Sequence, residues 1–114
     1  MHELGIVFHI IRTLEQVGEE NHLKQISSVT LELGEVSGIL DAYLQDCWKW
    51  AREKSPLLRG TELRTIALPA VTLCEACEKT YSTVAHGRVC PFCGSERTHL
   101  LTGSEANIKE IEAC

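Results

Sequence analysis

Four cysteines form the clearest chemical pattern in this sequence. Two residues separate Cys74 from Cys77 and Cys90 from Cys93, and twelve residues lie between the pairs. A zinc ion takes four thiolates at the corners of a tetrahedron, and a two-residue spacer lets one tight turn direct both sulfurs of a pair to the same ion. Residues 71–101, which contain both pairs, have too few large apolar side chains to build their own core. The spacing therefore predicts a structural Zn(II) site in a small, separate module.

Two other uses of paired cysteines compete with zinc, a redox dithiol and a pair of structural disulfides. A thioredoxin-like dithiol needs one Cys-x-x-Cys pair at the start of a helix that follows a strand in a larger fold, and neither pair has that setting. Disulfides belong to oxidising compartments, whereas the chain carries Glu3 where a secretory signal would carry lysine or arginine. We therefore expect a cytoplasmic protein. His86 and His99 flank the second pair, and we interpret them as solvated because four thiolates already complete the site.

The amino terminus offers a second possible metal site. The amine of Met1, the backbone amide nitrogen of His2 and the imidazole of His2 can close fused chelate rings around one ion. Three coplanar nitrogen donors suit a metal that accepts square-planar geometry, which is Ni(II) or Cu(II) rather than zinc. Glu3, or Asp41 if the fold brings it near, could supply another donor. Taken alone, a histidine at this position is more typical of an exposed terminal side chain.

The hydrophobic pattern predicts the elements that must position these residues. Amphipathic helices are expected over residues 4–17, ending near Gly18, and from residue 40 to a break at Ser55-Pro56. Their apolar stripes comprise Leu4, Val7, Phe8, Ile11 and Leu14 in the first helix, widened by Ile6, Ile10 and Val17, and Leu40, Tyr43, Leu44, Cys47, Trp48 and Ala51 in the second. Strands are expected over residues 29–33, 62–68 and 106–112. This order predicts an α/β-type domain of residues 1–69 and 103–114, into which a zinc-binding domain of residues 70–102 is inserted.

Size and charge restrict the classes of function. A chain of 114 residues leaves no room for a large catalytic core. Eleven basic against sixteen acidic residues give a net charge of −5, opposite in sign to that of a nucleic-acid binder, and this argues against a zinc-ribbon adaptor on DNA or RNA. No apolar run approaches the about 20 residues of a membrane span. Because the sequence also lacks a Ser/His/Asp constellation and a phosphate-binding glycine loop, we expect no enzyme, no nucleic-acid partner and no membrane.

Several segments together resemble one known family. They are the start Met1-His2-Glu3-Leu4, the segment Leu33-Gly34-Glu35 with Ser37, the lead-in at Pro69, and two Cys-x-x-Cys pairs before a short C-terminal strand. The sequence closely resembles HypA/HybF, the nickel metallochaperones of [NiFe]-hydrogenase maturation. The resemblance implies an α+β fold in which two helices pack on the three-stranded sheet of a nickel-binding domain that carries an inserted zinc-ribbon-like module.

The same resemblance assigns metals and partners. It implies that His2 binds nickel with Glu3 in support, and that zinc is held by Cys74, Cys77, Cys90 and Cys93. It further implies that Ni(II) is a transient cargo delivered to the large subunit of a [NiFe]-hydrogenase, with a HypB-type GTPase as partner. Some members of this family also serve urease.

Overall fold

The structure, a computed structural model, describes residues 3–114 and has the mixed α+β fold that the sequence predicts. The elements in chain order are α1 (Glu3–Glu20), β1 (Ile26–Gly34), α2 (Asp41–Ala51), a 3₁₀ turn (Arg52–Lys54), β2 (Glu62–Leu68), β3 (Val71–Cys74), β4 (Thr80–Ser82), α3 (Thr83–His86), β5 (Thr98–Thr102) and β6 (Ala106–Ala113). Within residues 3–114, no helix is both long enough and apolar enough to cross a bilayer.

The chain forms two compact units. Residues 3–32, 39–66 and 106–114 make up the first, here named the helical unit, and residues 33–38 and 67–105 make up the second, named the cysteine unit. Each unit has its own three-stranded sheet, with strand order β2-β1-β6 in one and β4-β3-β5 in the other. Independent folding of two domains with the boundaries expected from the sequence stays a prediction.

The helical unit has a continuous apolar core around the central strand β1. The fully buried side chains include Val7 and Leu14 of α1, Val29 of β1, and Leu44 and Trp48 of α2. The buried polar groups are satisfied, since the Trp48 indole N–H donates to the Thr61 carbonyl at 2.8 Å and the Thr61 hydroxyl donates to the backbone of β1. Hydrophobic burial on two helices and one sheet is therefore what holds this unit together.

The expected buried stripe of α1 is confirmed in part. Val7, Ile11 and Leu14 are buried, as is Ile10 among the residues that widen the stripe, whereas Leu4 and Phe8 are 37% and 39% exposed. The helix also continues past Gly18 to Glu20. Gly18 therefore lies inside the helix. A Cβ at that position would come within 2.5 Å of the Leu57 side chain, so its role is close packing rather than termination.

The cysteine unit contains three short strands that the sequence pattern did not predict. Strand β3 pairs antiparallel with both β4 and β5. One buried cluster of this unit consists of Cys74, Tyr81 and Cys90, against which the half-buried Cys77 packs, and Leu33 and Ala70 are also buried. Because three of the four side chains in the cluster are cysteines, the unit has little apolar core that is separate from the predicted zinc site.

Residues 33–38 are held in the cysteine unit by close backbone contacts. The Gly34 N–H donates to the Glu105 carbonyl at 2.7 Å, and the Val36 N–H donates to the Gly103 carbonyl at 2.8 Å. The Glu35 carboxylate accepts the Ala70 N–H at 2.8 Å. Gly103 has a φ of +115°, and a Cβ there would lie 2.4 Å from the Ala70 Cα. Because φ is positive and the Ala70 backbone is so close, position 103 accommodates glycine and no residue with a Cβ.

Candidate metal centre

The four cysteines predicted to bind zinc lie together. Their Sγ atoms all lie within 4.8 Å of one another. Two short separations join one pair to the other, since Cys74 Sγ is 3.6 Å from Cys93 Sγ and Cys77 Sγ is 3.6 Å from Cys90 Sγ. In a tetrahedral site with Zn–S bonds of about 2.3 Å, neighbouring sulfurs are about 3.8 Å apart. The donor set therefore fits one zinc ion in both chemistry and size.

Each cysteine pair sits in a turn of the same construction. In the first turn, the Cys74 carbonyl accepts the Glu78 N–H at 2.9 Å, and the Cys74 N–H donates to the Lys79 carbonyl at 2.9 Å. The second turn repeats this pattern, because the Cys90 carbonyl accepts the Gly94 N–H at 2.9 Å and the Cys90 N–H donates to the Ser95 carbonyl at 3.0 Å. Gly94 has a positive φ of 75°.

The first turn contains a feature that sequence reasoning missed. Glu78 takes the position that Gly94 takes in the second turn, and its φ is 62°. This left-handed conformation costs a non-glycine residue roughly 1–2 kcal/mol, which the surrounding turn must offset. The sequence offered one signal for this positive φ. Glu78 and Gly94 occupy equivalent positions, each four residues after the first cysteine of its pair.

Backbone N–H groups and the neighbouring thiols give the four cysteines unequal pKa values. The Cys77 N–H, helped by that of Ala76, lowers the pKa of Cys74 from 9.0 to about 7 against the opposing effect of desolvation. The Ser95 N–H lowers the pKa of Cys93, but the neighbouring Cys74 thiol, desolvation and the other thiols together raise it to about 12. Four thiolates at this spacing repel one another, so a bound divalent cation is what would allow all four to ionise.

The alternatives to metal binding are not supported by the geometry. All six cysteines are free in the described chain. The two short Sγ–Sγ separations of 3.6 Å exceed the roughly 2.05 Å of a disulfide bond by a wide margin. Neither pair opens a helix that follows a strand, which is the setting of a redox dithiol.

The flanking histidines are exposed, as expected, but both have partners. His99 Nδ1 lies 3.0 Å from a carboxylate oxygen of Glu75, and the His86 ring makes an edge contact with Tyr81 at 5.9 Å between centroids. Neither histidine belongs to the metal-capable group found among residues 3–114. Cys47 is buried in α2, as predicted, and Cys114 is exposed.

The amino-terminal site is only partly visible. Met1 and His2 lie outside the described residues, so the predicted chelate stays a prediction. Glu3 is the first residue of α1 and is 8% exposed. Its Oε2 atom accepts the Leu40 N–H at 2.9 Å, immediately before α2. Leu40 has no capping side chain of its own, so Glu3 satisfies an N–H at the positive end of that helix.

Asp41, the other donor considered for nickel, also has a structural contact. It begins α2 as expected, and its Oδ1 atom accepts the Thr65 hydroxyl at 3.1 Å. Both carboxylates named for the amino-terminal site therefore take part in fixing the start of α2. The link from Glu3 to Leu40 spans 37 residues, which is why the sequence pattern alone did not reveal it.

The chain is similar to known proteins over nearly its whole length. A family model described as "Hydrogenase/urease nickel incorporation, metallochaperone, hypA" matches residues 1–113. Hydrogenase maturation factor HypA of Chlorobium phaeobacteroides is 33% identical over 111 residues, which are 97% of each chain. Hydrogenase maturation factor HybF of Klebsiella pneumoniae is 26% identical over 112 residues, which are 98% of each chain.

Solved structures show the same fold. The solution structure of the Ni metallochaperone HypA from Helicobacter pylori superposes with a TM-score of 0.77 at 23% identity, and the match covers 99% of this chain and 97% of that one. A second solution structure, of a HypA protein, gives a TM-score of 0.79. With the family model matching residues 1–113, the chain belongs to the HypA family of hydrogenase and urease nickel-incorporation metallochaperones.

Proposed function

We propose that this protein binds Ni(II) at its amino terminus and delivers it to the large subunit of a [NiFe]-hydrogenase during maturation. The observation that carries the proposal is the family match over residues 1–113, which includes the segment Met1-His2-Glu3. The Met1 amine and the two nitrogens of His2 form a planar donor set that suits Ni(II). The metal is a cargo, so the protein performs no chemical step on a substrate and is not an enzyme.

We further propose that Zn(II) is a structural component of the cysteine unit. Cys74, Cys77, Cys90 and Cys93 would hold it, and the Sγ separations described above support a tetrahedral site. When bound, zinc supplies the positive charge that balances the clustered thiolates. The backbone N–H groups of both turns orient the sulfurs, and the small buried cluster around Tyr81 gives the unit little other stability.

The proposed partners follow from the same function. A HypB-type GTPase and the hydrogenase large subunit are proposed to meet this protein in the cytoplasm, where the cysteines stay reduced. Delivery needs a site from which the ion can leave, and a chelate at a chain terminus meets that need better than a closed four-cysteine site.

The test is metal analysis of the purified protein with a free amino terminus, before and after addition of Ni(II). We expect one tightly held zinc and one exchangeable nickel per chain. His2→Ala should abolish nickel binding at unchanged zinc content, whereas His9→Ala, which removes an exposed imidazole of α1, should bind nickel normally. A short extension ahead of Met1 should also weaken binding, because it converts the donor amine into an amide. Full nickel affinity in His2→Ala, or loss of nickel on replacement of the four cysteines alone, would refute the terminal site.

A further inference from the structure

Helices α1 and α2 of the helical unit carry exposed aromatic side chains. The chain has six Phe, Tyr and Trp residues, and three of them, Phe8, Tyr43 and Trp50, lie on α1 and α2 with 39%, 55% and 57% of their surface exposed. Leu4, one helical turn before Phe8, is also exposed. Aromatic residues are scarce on the free surface of soluble proteins and enriched at interfaces, so this cluster marks a surface that contacts another molecule.

A shallow, open depression lies at this surface between the two helices. It has a volume of about 270 Å³ and is lined by Leu4 of α1 and by Tyr43, Asp46, Cys47 and Trp50 of α2. The residues Tyr43, Cys47 and Trp50 follow one another at spacings of four and three, so they form one stripe along α2. We name these five lining residues, together with Phe8, the helix-pair surface.

We propose that the helix-pair surface binds an amphipathic helix of a partner protein that carries a lysine or arginine beside its apolar stripe. The walls of the depression are helical side chains, which offer no free backbone groups to an extended strand. A helix satisfies its own backbone hydrogen bonds and inserts side chains at spacings of three and four, which match the stripe on α2. Helix-in-groove binding is therefore the mode that this surface accommodates.

Charge complementarity selects the chemistry of the partner. Among residues 3–114, Asp46 is the one charged side chain that lines the depression, and it is exposed. The Lys54 ammonium does not line the depression but lies over the Trp50 ring, 4.3 Å from the ring centre. In a symmetric dimer the same surface would face itself and would bring two copies of Asp46 into one apolar contact, while the Lys54 ammonium of each copy already lies over its own Trp50 ring. A basic residue on a different protein avoids that cost.

The position of the surface ties it to the proposed cargo site. Leu4 follows His2 by two residues in the chain, so a helix docked on the depression would lie beside the amino terminus. That consequence rests on the proposed nickel function, whereas binding of the helix does not. The surface would thus place a partner next to the nickel donors at the moment of transfer.

The test is an NMR titration of isotope-labelled full-length protein with a designed 18-residue helical peptide that has leucines on one face and lysines on the other. A twin peptide with glutamates in place of the lysines is the charge control. We expect saturable shifts confined to α1 and α2 around the helix-pair surface, and at least tenfold weaker binding of the glutamate peptide. Trp50→Ala should weaken binding at least tenfold, and Asp46→Asn severalfold at low salt with little difference at high salt.

Matched variants make the result decisive. Val84→Ala removes an exposed apolar side chain from the cysteine unit, and Glu15→Gln removes an exposed acid from α1, and neither should change the affinity. Equal weakening by these variants, shifts spread over the chain, or no localised shift with either peptide would overturn the proposal. Concentration-dependent dimerisation that Trp50→Ala abolishes would show that a second copy is the occupant. His2→Ala should lose nickel yet bind the peptide normally, so the two proposals can fail separately.

Discussion

The contact between Glu3 and the start of α2 gives a sharp test of how the helical unit is held together. Glu3 is 8% exposed, and its carboxylate accepts the Leu40 N–H at 2.9 Å. A hydrogen bond to a charged group contributes about 1.5–3 kcal/mol, and loss of an N-terminal cap costs about 0.5–2 kcal/mol. The contact between Glu3 and Leu40 is both a hydrogen bond to a charged group and an N-terminal cap. We therefore expect Glu3→Ala to lower the free energy of unfolding by about 2 kcal/mol.

Thermal unfolding followed by circular dichroism measures this effect. A unit of this size loses about 4–8 °C of melting temperature per kcal/mol, so Glu3→Ala should melt about 8–16 °C below the parent protein. Glu3→Gln keeps an oxygen that can accept the Leu40 N–H, and its loss should be about half as large. Glu15→Ala removes the same charge from an exposed position of α1 and should change the stability by less than about 0.5 kcal/mol.

Measurement of nickel binding by the same variants tests whether the Glu3 carboxylate only supports α2 or is also a nickel donor. If the carboxylate serves only α2, Glu3→Gln should bind nickel as tightly as the parent protein. If it is also a metal donor, Glu3→Gln should lose nickel affinity by more than its small loss of stability explains. A Glu3→Ala protein that melts like the parent protein would refute the reasoning, since the Leu40 contact would then contribute nothing.

Three further predictions concern the cysteine unit. Cys93→Ala should release zinc and unfold residues 71–101 while the helical unit keeps its circular dichroism, and protease resistance of that segment without zinc would contradict this. Gly103→Ala should cost at least about 2 kcal/mol because its Cβ meets Ala70, whereas the control Gly38→Ala, at φ +78° with open space around it, should cost only about 1 kcal/mol in a denaturant titration. The Gly103 N–H, with the backbone N–H groups of Glu105 and Ser104, lowers the pKa of the Glu105 carboxyl from its usual 4.5. This carboxylate therefore stabilises the folded state at pH 7, and the stability difference between the parent protein and Glu105→Gln should shrink as the pH falls below about 4.5 and through the depressed pKa.

Local sequence patterns predicted the elements well where one face is clearly apolar. The expected strand over residues 62–68 has the bounds of β2. The second helix begins one residue later than expected and ends at Ala51, where a 3₁₀ turn continues to Lys54. The first helix was predicted, but Leu4 and Phe8 at the edge of its expected stripe are exposed. Apolar residues occupy so much of its circumference that only the packing against α2 and the sheet decides which of them are buried.

Other features depend on residues far apart in the chain. Strands β3, β4 and β5 have four, three and five residues and gain stability from pairing with one another, so no alternation long enough to recognise is present. The expected strand over residues 29–33 begins earlier, at Ile26, because Ser27 and Ser28 pair in the sheet and bond to Glu112. The clustering of the four cysteines, in contrast, was predictable because two short turns determine the geometry of each pair locally.

The cysteine unit is built from two stretches of chain that are far apart in the sequence, and this has a consequence for any attempt to isolate it. A peptide of residues 70–102, the predicted zinc-binding domain, would contain all four cysteines and all three strands. It would lack the Val36 bond to Gly103, the Glu35 bond to Ala70 and the Gly34 bond to Glu105. Its first and last residues would fray where the intact chain holds them, so such a fragment should bind zinc yet exchange it faster than the whole protein does.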